Sequence, residues 1–429
     1  MCADFRFHPV GHGLFYSGVI YGSVMGGRPF AFVYDCGGMG AANLFDDFWN
    51  QYTDGIDNVR LDMLVVSHFH QDHIGGVPEL IKRSKPRSIV LPYLYPEEKI
   101  AYVASLFVES DLEDGTGGSE ELGRFILDPE TFCRSYCKND DCQIYYVYPD
   151  EKNGAQPEDQ QTHAINAEES DFLDAKPIDG KHNVFAAESG SVGRIAGWKF
   201  CFFMPKEASF SEKFKNWMKD EGITDAQFMW GPSLDELFKK VRNKFKEFSS
   251  SINPNVSNLV CMHGPALSTH WRCWVAWSRS TRLSDCVIGL WPRIRLALHR
   301  IMHGDDCGWS RIGAANMQVL TGDAEFSKMM PNEIGRLGPG KCFLFQIPHH
   351  GSKNNWRDWF VRGFPNCRML PVTHNANCRH RGKAFMTSRS NLVNACHVTE
   401  QTASVLDVQM IMGNYPIVCF RGSACWFDR

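Results

Sequence analysis

Apolar residues gather along this chain in short runs that stop at polar or glycine-rich turns, the pattern of short buried strands that end in loops. The clearest run is residues 61–66 in LDMLVVSHFHQDHIGG, which reads as a compact strand covered on both faces. The Ile-Gly-Gly-Val-Pro-Glu-Leu that follows reads as a turn entering a helix. GWKFCFFMP at 197–205 reads as another core strand, with two helices after it. The second helix is well marked: Ser233 and Glu236 form a capping box, and Leu234, Leu237, Phe238, Val241, Phe245 and Phe248 recur on one face. Its other face, with Lys239, Lys240, Arg242, Lys244 and Lys246, is either a solvated basic face or a surface for phosphate. MQVL before Thr-Gly-Asp, LFQIP before His-His-Gly-Ser and MLPVT before His374 are further strands, and VQMIMGN and IVCFRGSACWF complete a sheet.

Composition narrows the picture. The 429 residues, 43% hydrophobic and 22% charged, exclude a disordered or collagen-like chain. A net charge of −4 argues against a protein that grips nucleic acid over its whole surface. That charge is unevenly spread. Residues 108–185 hold 19 Asp or Glu against 6 Lys or Arg, which leaves the remainder net basic by about +9. No apolar run approaches the roughly 20 residues of a membrane span. No signal segment opens the chain, so its 16 cysteines are expected as reduced thiols in a cytoplasmic protein. Cys133, Cys137 and Cys142 could supply three legs of a zinc site, but their spacing is not that of a knuckle and the small-hydrophobe reading is preferred.

The histidines are different. His68, His70, Asp72 and His73 fall within six residues at the end of a buried strand, a nitrogen and oxygen donor set suited to Zn²⁺, Mn²⁺ or Fe²⁺. Paired histidines, His349 and His350, end another strand, and Asp323 ends a third.

His-x-His-x-Asp-His after a hydrophobic strand resembles the signature of the metallo-β-lactamase-fold hydrolases. FHPVGHGLFYSGVI and RPFAFVYDCGG look like that fold's opening hairpin, with Asp35 where the family keeps a carboxylate beside the site. Thr-Gly-Asp at 321–323 and His-His-Gly-Ser at 349–352 follow in the expected order. The set is most similar to the branch containing the metallo-β-lactamase domain of bacterial DNA-uptake competence channels. The motifs cover about a tenth of the chain.

The resemblance implies an α/β (α+β) fold: an αββα sandwich of two mixed sheets with helices outside and the site along one edge. It implies one or two Zn²⁺ ions, or Mn²⁺, with His68 and His70 on the first, Asp72 and His73 on the second, Asp323 bridging and His350 as the last ligand. A metal-bound hydroxide would then attack the substrate, with Asp72 and His349 in catalytic roles. The assignments of His349 and His350 are open to exchange. One departure stands out: the family's remaining histidine for the first metal has no clear counterpart. INPNVSNLVCMHG resembles the branch's asparagine/serine-rich lead into a strand, which makes His263 the nearest candidate. His12 stands where the branch usually has glutamine, and it could touch metal or substrate. Asp35, Lys353 and His374 are further candidates around the site.

About 250 residues separate the first cluster from Asp323. The chain is therefore expected as one domain, 1–429, widened by an exposed acidic insertion at 108–185 and a Trp/Arg-rich insertion at 265–316. WRCWVAWSRSTR in the latter suits either packing, as a helical subdomain or protein interface, or the stacking of single-stranded nucleic acid. The leading function is metal-dependent hydrolysis of a phosphodiester in a nucleic acid or nucleotide. The alternatives are an ester, amide or thioester hydrolase, or a partner-binding component of an assembly such as a bacterial antiviral defence system.

Overall fold

The computed structural model describes residues 2–21, 29–38, 60–110, 117–137, 142–149, 172–195, 197–205, 212–223, 234–248, 258–266, 271–278, 310–311, 316–325, 341–352, 355, 364, 367, 370–374, 395–398 and 405–412. An antiparallel meander opens the chain: β1 (Cys2–Phe7), β2 (Phe15–Tyr21) and β3 (Phe30–Cys36). Parallel pairing takes over at β4 (Met63–Val65), and each parallel step needs a crossover. Helices α1 (Gln71–Ile74) and α2 (Val77–Ser84) lead to β5 (Ser88–Pro92). Helices α3 (Pro96–Ser110), α4 (Gly117–Leu127) and α5 (Pro129–Tyr136) lead to β6 (Gln143–Tyr148). The short β7 (Lys176–Pro177) then turns back on β8 (Val184–Glu188), which lies parallel to β6.

The second sheet contains β9 (Val192–Ile195), β10 (Trp198–Phe203), β11 (Val260–Pro265), β14 (Met317–Leu320) and β15 (Cys342–Phe345). Helices α6 (Glu212–Asp220) and α7 (Leu234–Phe248) connect β10 to β11. Strand β18 (Val405–Met412) returns to the first sheet beside β1, with β12 (Trp271–Ser278) and then β13 (Ser310–Arg311) outside it, giving eleven strands among the described residues; β16 (Leu370–Thr373) and β17 (Ala395–Val398) form a separate parallel pair.

Strand alternation sorts the core into layers. Phe32 and Tyr34 of β3, Val65 of β4 and Tyr145 and Val147 of β6 face Trp198, Phe200, Phe202, Cys261 and Leu320 of the second sheet. Val33, Leu64, Ile89, Leu91 and Ile144 face the other way, onto Leu80, Val103, Phe125, Phe132, Phe214, Val241 and Phe245 of the helices. The outer face of the second sheet is covered by Phe364, Leu370 and Val372, among others. This is a mixed two-sheet sandwich with helices outside, as expected. Helix α7 matches the periodicity: Val241 and Phe245 are buried, while Lys240 and Lys244 on the outer face pair with Glu221 and Glu247.

Two expectations change. The stretch 108–185 is not simply an exposed insertion, because α4, α5, β6 and β8 within it are structural, with Phe125, Ile126, Phe132, Tyr145, Val147 and Val184 buried. Its acidic part at 150–171 lies outside the described residues. In the Trp/Arg-rich stretch, 271–278 is not helical but a strand paired along its length with β18, and 279–309 lies outside the described residues. Cys133, Cys137 and Cys142 are buried and form no disulfide. No helix among the described residues is long and apolar enough to cross a membrane.

Candidate metal centre

Four strands end at one place. β4 runs out at Val65, and the chain turns through Ser67 and His68 into α1, which carries Asp72 and His73. β3 ends beside it, with Asp35 in the left-handed region at φ 55. From the other sheet, β14 ends in the turn that carries Asp323, and β15 leads to a 3₁₀ turn with His349 and His350 at φ 47 and 52. Gly322, at φ 52, is required where the two sheets' loops meet: a Cβ there would lie 2.7 Å from the Ser67 side chain. Side-chain amides secure the turn. Asn258 accepts from the Asp323 amide at 3.1 Å, and Asn355 donates to its carbonyl at 3.1 Å.

Hydrogen bonds behind the histidines decide which ring nitrogens face inward. Asp35 is fully buried and accepts from the Ser67 amide and hydroxyl, both at 2.6 Å, and from His73 Nδ1 at 2.7 Å. With its proton on Nδ1, His73 presents a bare Nε2 to the centre. The Ser67 hydroxyl, having given its proton to Asp35, accepts from His68 Nδ1 at 2.9 Å, so His68 Nε2 also faces inward bare. His350 donates from Nδ1 to the Thr373 carbonyl at 2.9 Å and turns Nε2 the same way.

Those nitrogens meet two carboxylates. Asp323 Oδ1 lies 3.2 Å from His73 Nε2 and 4.0 Å from His350 Nε2. Its Oδ2 lies 3.6 Å from His68 Nε2 and 3.7 Å from His349 Nε2. Asp72 Oδ2 lies 3.0 Å from His350 Nε2 and 3.8 Å from His73 Nε2. His70 Nδ1 is 3.1 Å from His68 Nε2. Separations of this size are those of neighbouring ligands on an ion with bonds near 2.0–2.2 Å. His73 Nε2 and Asp323 Oδ1 are buried without a hydrogen-bond partner, an arrangement that protein groups alone leave costly and a cation would satisfy. Within ligand range of one another are His68, His70 and Asp323; His73, Asp323 and His350; and His68, Asp72 and His73. Asp323 belongs to the first two sets. The residues fit a metal centre, and the fit is best for two positions that share Asp323.

Electrostatics agree with the donor chemistry. Burial alone would raise Asp72 and Asp323, but the facing imidazoles, His73 and His350 for the first and His349, His73 and His68 for the second, hold both well below the usual carboxylate range. Burial, helped by His73, pulls His68 down, and burial also lowers His70. His73 and His350 are raised, because the carboxylates outweigh burial. His12 is pulled down to about 4 by burial and by His350.

His68, His70, Asp72, His73, Asp323 and His350 thus converge. His349 stands at the rim with 35% of its side chain exposed. Asp35 lies directly behind His73, and His12 lies over His350, with ring centroids 4.0 Å apart. His374 is buried one residue beyond the Thr373 carbonyl and joins none of the ligand sets, and Lys353 lies outside the described residues.

His263 is the correction. It is fully buried between the sheets, where Trp198 Nε1 donates to its Nδ1 at 3.3 Å and its Nε2 meets the Tyr16 hydroxyl at 3.0 Å. Tyr16 passes its own proton to Gln318 at 2.9 Å. Both ring nitrogens are engaged, and burial drives the ring down to about 3, so this is a neutral core histidine. Sequence reasoning missed Ser67, Asn258 and the Thr373 carbonyl. Asn258 sits in the asparagine/serine-rich lead already singled out, while nothing in the sequence marks a backbone carbonyl.

Residues 23–133 match the family model of the metallo-beta-lactamase superfamily, a span that contains the His68–His73 cluster. Among solved structures, the chain is similar to an archaeal metallo-beta-lactamase superfamily protein from Sulfolobus tokodaii, at 18% identity over 46% of this chain and 54% of that one, with a TM-score of 0.19. No curated protein matches. The fold is the α/β sandwich of the metallo-β-lactamase type, and its histidine and aspartate cluster lies where the two sheets' strand ends meet.

Proposed function

We propose that this protein is a metal-dependent hydrolase of phosphodiesters, with a nucleic acid or a nucleotide as substrate and Zn²⁺ or Mn²⁺ as its ion. The observation that carries the reading is Asp323. One carboxylate faces two separate groups of imidazoles through different oxygens, and one of those oxygens is buried without a hydrogen-bond partner. A pair of bound ions would supply Lewis acidity and a water ionised near neutral pH. The chain's own residues supply the rest. His68, His70, Asp72, His73 and His350 join Asp323 in holding the ions, and Asp35, Ser67 and Thr373 fix the histidine tautomers. His349, at the exposed rim and 3.7 Å from Asp323, is placed to give a proton to a leaving oxygen. Asp72, 24% exposed, can orient the attacking water. The preference for phosphodiesters is supported by the motif order shared with the competence-channel branch and by the net basic remainder of the chain.

The test is metal analysis of the purified protein together with a panel of single- and double-stranded DNA and RNA in Mn²⁺ or Zn²⁺. About two equivalents of metal are expected, with cleavage that His68→Ala and Asp323→Ala abolish while both variants stay folded. Near-zero bound metal, or full cleavage by Asp323→Ala, would overturn the hydrolase reading. Cleavage of nitrophenyl esters with every nucleic acid left intact would replace the phosphodiester by a carboxylic ester.

A further inference from the structure

The turn Val10-Gly11-His12-Gly13 is held against the metal centre by backbone contacts that only glycine permits. Gly13, at φ 143, approaches so closely that a Cβ would lie 2.5 Å from the Asp72 carbonyl and 2.6 Å from Gly38 Cα. Gly38, at φ 106, closes on the Val10 carbonyl, and a Cβ on Gly37 would collide with the backbone of Asp72 and His73. Three hydrogen bonds tie the same backbones together: Leu14 donates to Asp72 at 3.1 Å, Gly37 to Leu14 at 2.9 Å, and Gly76 to Cys36 at 2.6 Å. The residue at the tip of this turn is therefore fixed relative to α1, and it is a histidine.

Its ring is aimed at the centre. His12 Nε2 lies 3.6 Å from Asp72 Oδ2, the oxygen that His350 Nε2 meets at 3.0 Å, and the three ligand atoms lie within 4.8 Å of one another. A distance of 3.6 Å is too long for a hydrogen bond. It is an ordinary separation for two ligands of one ion. The carboxylate oxygen of Asp72 is then shared by His12, His73 and His350, at 3.6, 3.8 and 3.0 Å.

We propose that His12 is an additional protein ligand of the ion held by Asp72, His73, His350 and Asp323, closing on its solvent side a position that would otherwise be left to water. This rests on the proposed metal-dependent function and deepens it. A further protein ligand makes that ion the more strongly held of the two, and confines exchangeable solvent to the side facing His68 and His70. It also favours ions that accept five or more ligands over a strictly tetrahedral one.

The test uses full-length protein titrated with Zn²⁺ and, separately, with Co²⁺, comparing wild type with His12→Ala and His12→Gln. Metal-free Tm controls for folding, and loss of this half-buried turn side chain is expected to shift it little beside the change in metal affinity. In His12→Ala the tighter equivalent should weaken at least about tenfold, the lower bound set by losses at groups that merely support ligands. Its Co²⁺ visible spectrum should also change, as water replaces an imidazole nitrogen. His12→Gln, which offers an amide oxygen in place of the ring nitrogen, should fall between the two. Two bound equivalents in wild type, with unchanged affinities and Co²⁺ spectrum in both variants, would overturn the role of His12 and leave the proposed function standing. No bound metal in wild type would overturn both.

Discussion

Asp35 shows how much of the centre depends on one residue that need touch neither ion nor substrate. It takes three hydrogen bonds, and the one from His73 Nδ1 keeps that ring's Nε2 bare. Asparagine keeps the size and tolerates φ 55, but its amide nitrogen would face donors. In Asp35→Asn the His73 proton is expected to move to Nε2, the atom that should bind metal. Affinity should then fall about 10- to 100-fold, measured by competition with a chromophoric chelator; unchanged affinity would sink this role. His263 illustrates the converse. From the sequence, a histidine near the end of an apolar run could serve as ligand or as core, because only the fold shows that Tyr16 and Trp198 occupy both its nitrogens. His263→Ala should cost roughly 3 kcal/mol through the unpaired partners and the cavity. Metal content of the folded protein should not change, and a lost equivalent would restore His263 to the ligand set.

Elements were legible where period and composition agree, as in α7, whose buried Val241 and Phe245 follow the predicted stripe. They were not where charge hid the pattern. QIYYVY at 143–148 has the look of a strand, but it lies in a stretch with a large acidic excess, and the average concealed the element. Helix α3 carries its own charge problem. Glu98 reaches back to accept the Tyr95 amide at 2.9 Å, as an N-terminal capping residue does, yet it is only 5% exposed. Burial outweighs that bond and nearby Lys215, and pushes the carboxyl up to about 7 from 4.5. The folded chain therefore holds a proton that the unfolded chain has released between those values, so this contribution to stability falls as pH rises through the window. At about 1.4 kcal/mol per pH unit, the penalty reaches roughly 3 kcal/mol above pH 7. Glu98→Gln keeps an acceptor for Tyr95 and removes the charge. Its Tm should be close to that of wild type at pH 4, below the unfolded value, and exceed it at pH 8, and an equal difference at both pH values would rule out the charge as the cause.

At the scale of the molecule, the candidate ligands come from distant parts of the chain and from both sheets. His68 to His73 follow a strand of the eleven-stranded sheet, whereas Asp323 and His350 follow β14 and β15 of the other. The cluster was legible because four donors crowd into six residues. The sheet order around it was not, since nothing local records that β18 returns to lie beside β1 with β12 outside it. Bound ions would tie the two sheets together at an edge where each contributes carboxylates and imidazoles. Metal should therefore act as a ligand of the folded state alone. At free metal about a thousandfold above its dissociation constant, the gain is about 4 kcal/mol, or roughly 4–5 °C in Tm for a chain of this size. Chelation of wild type should lower Tm by that amount, and added Zn²⁺ should restore it. Asp323→Ala, lacking the carboxylate common to both positions, should melt at nearly the same temperature with and without chelator. A wild-type Tm indifferent to chelation would mean that the two sheets are held at this edge by the protein's own charges alone.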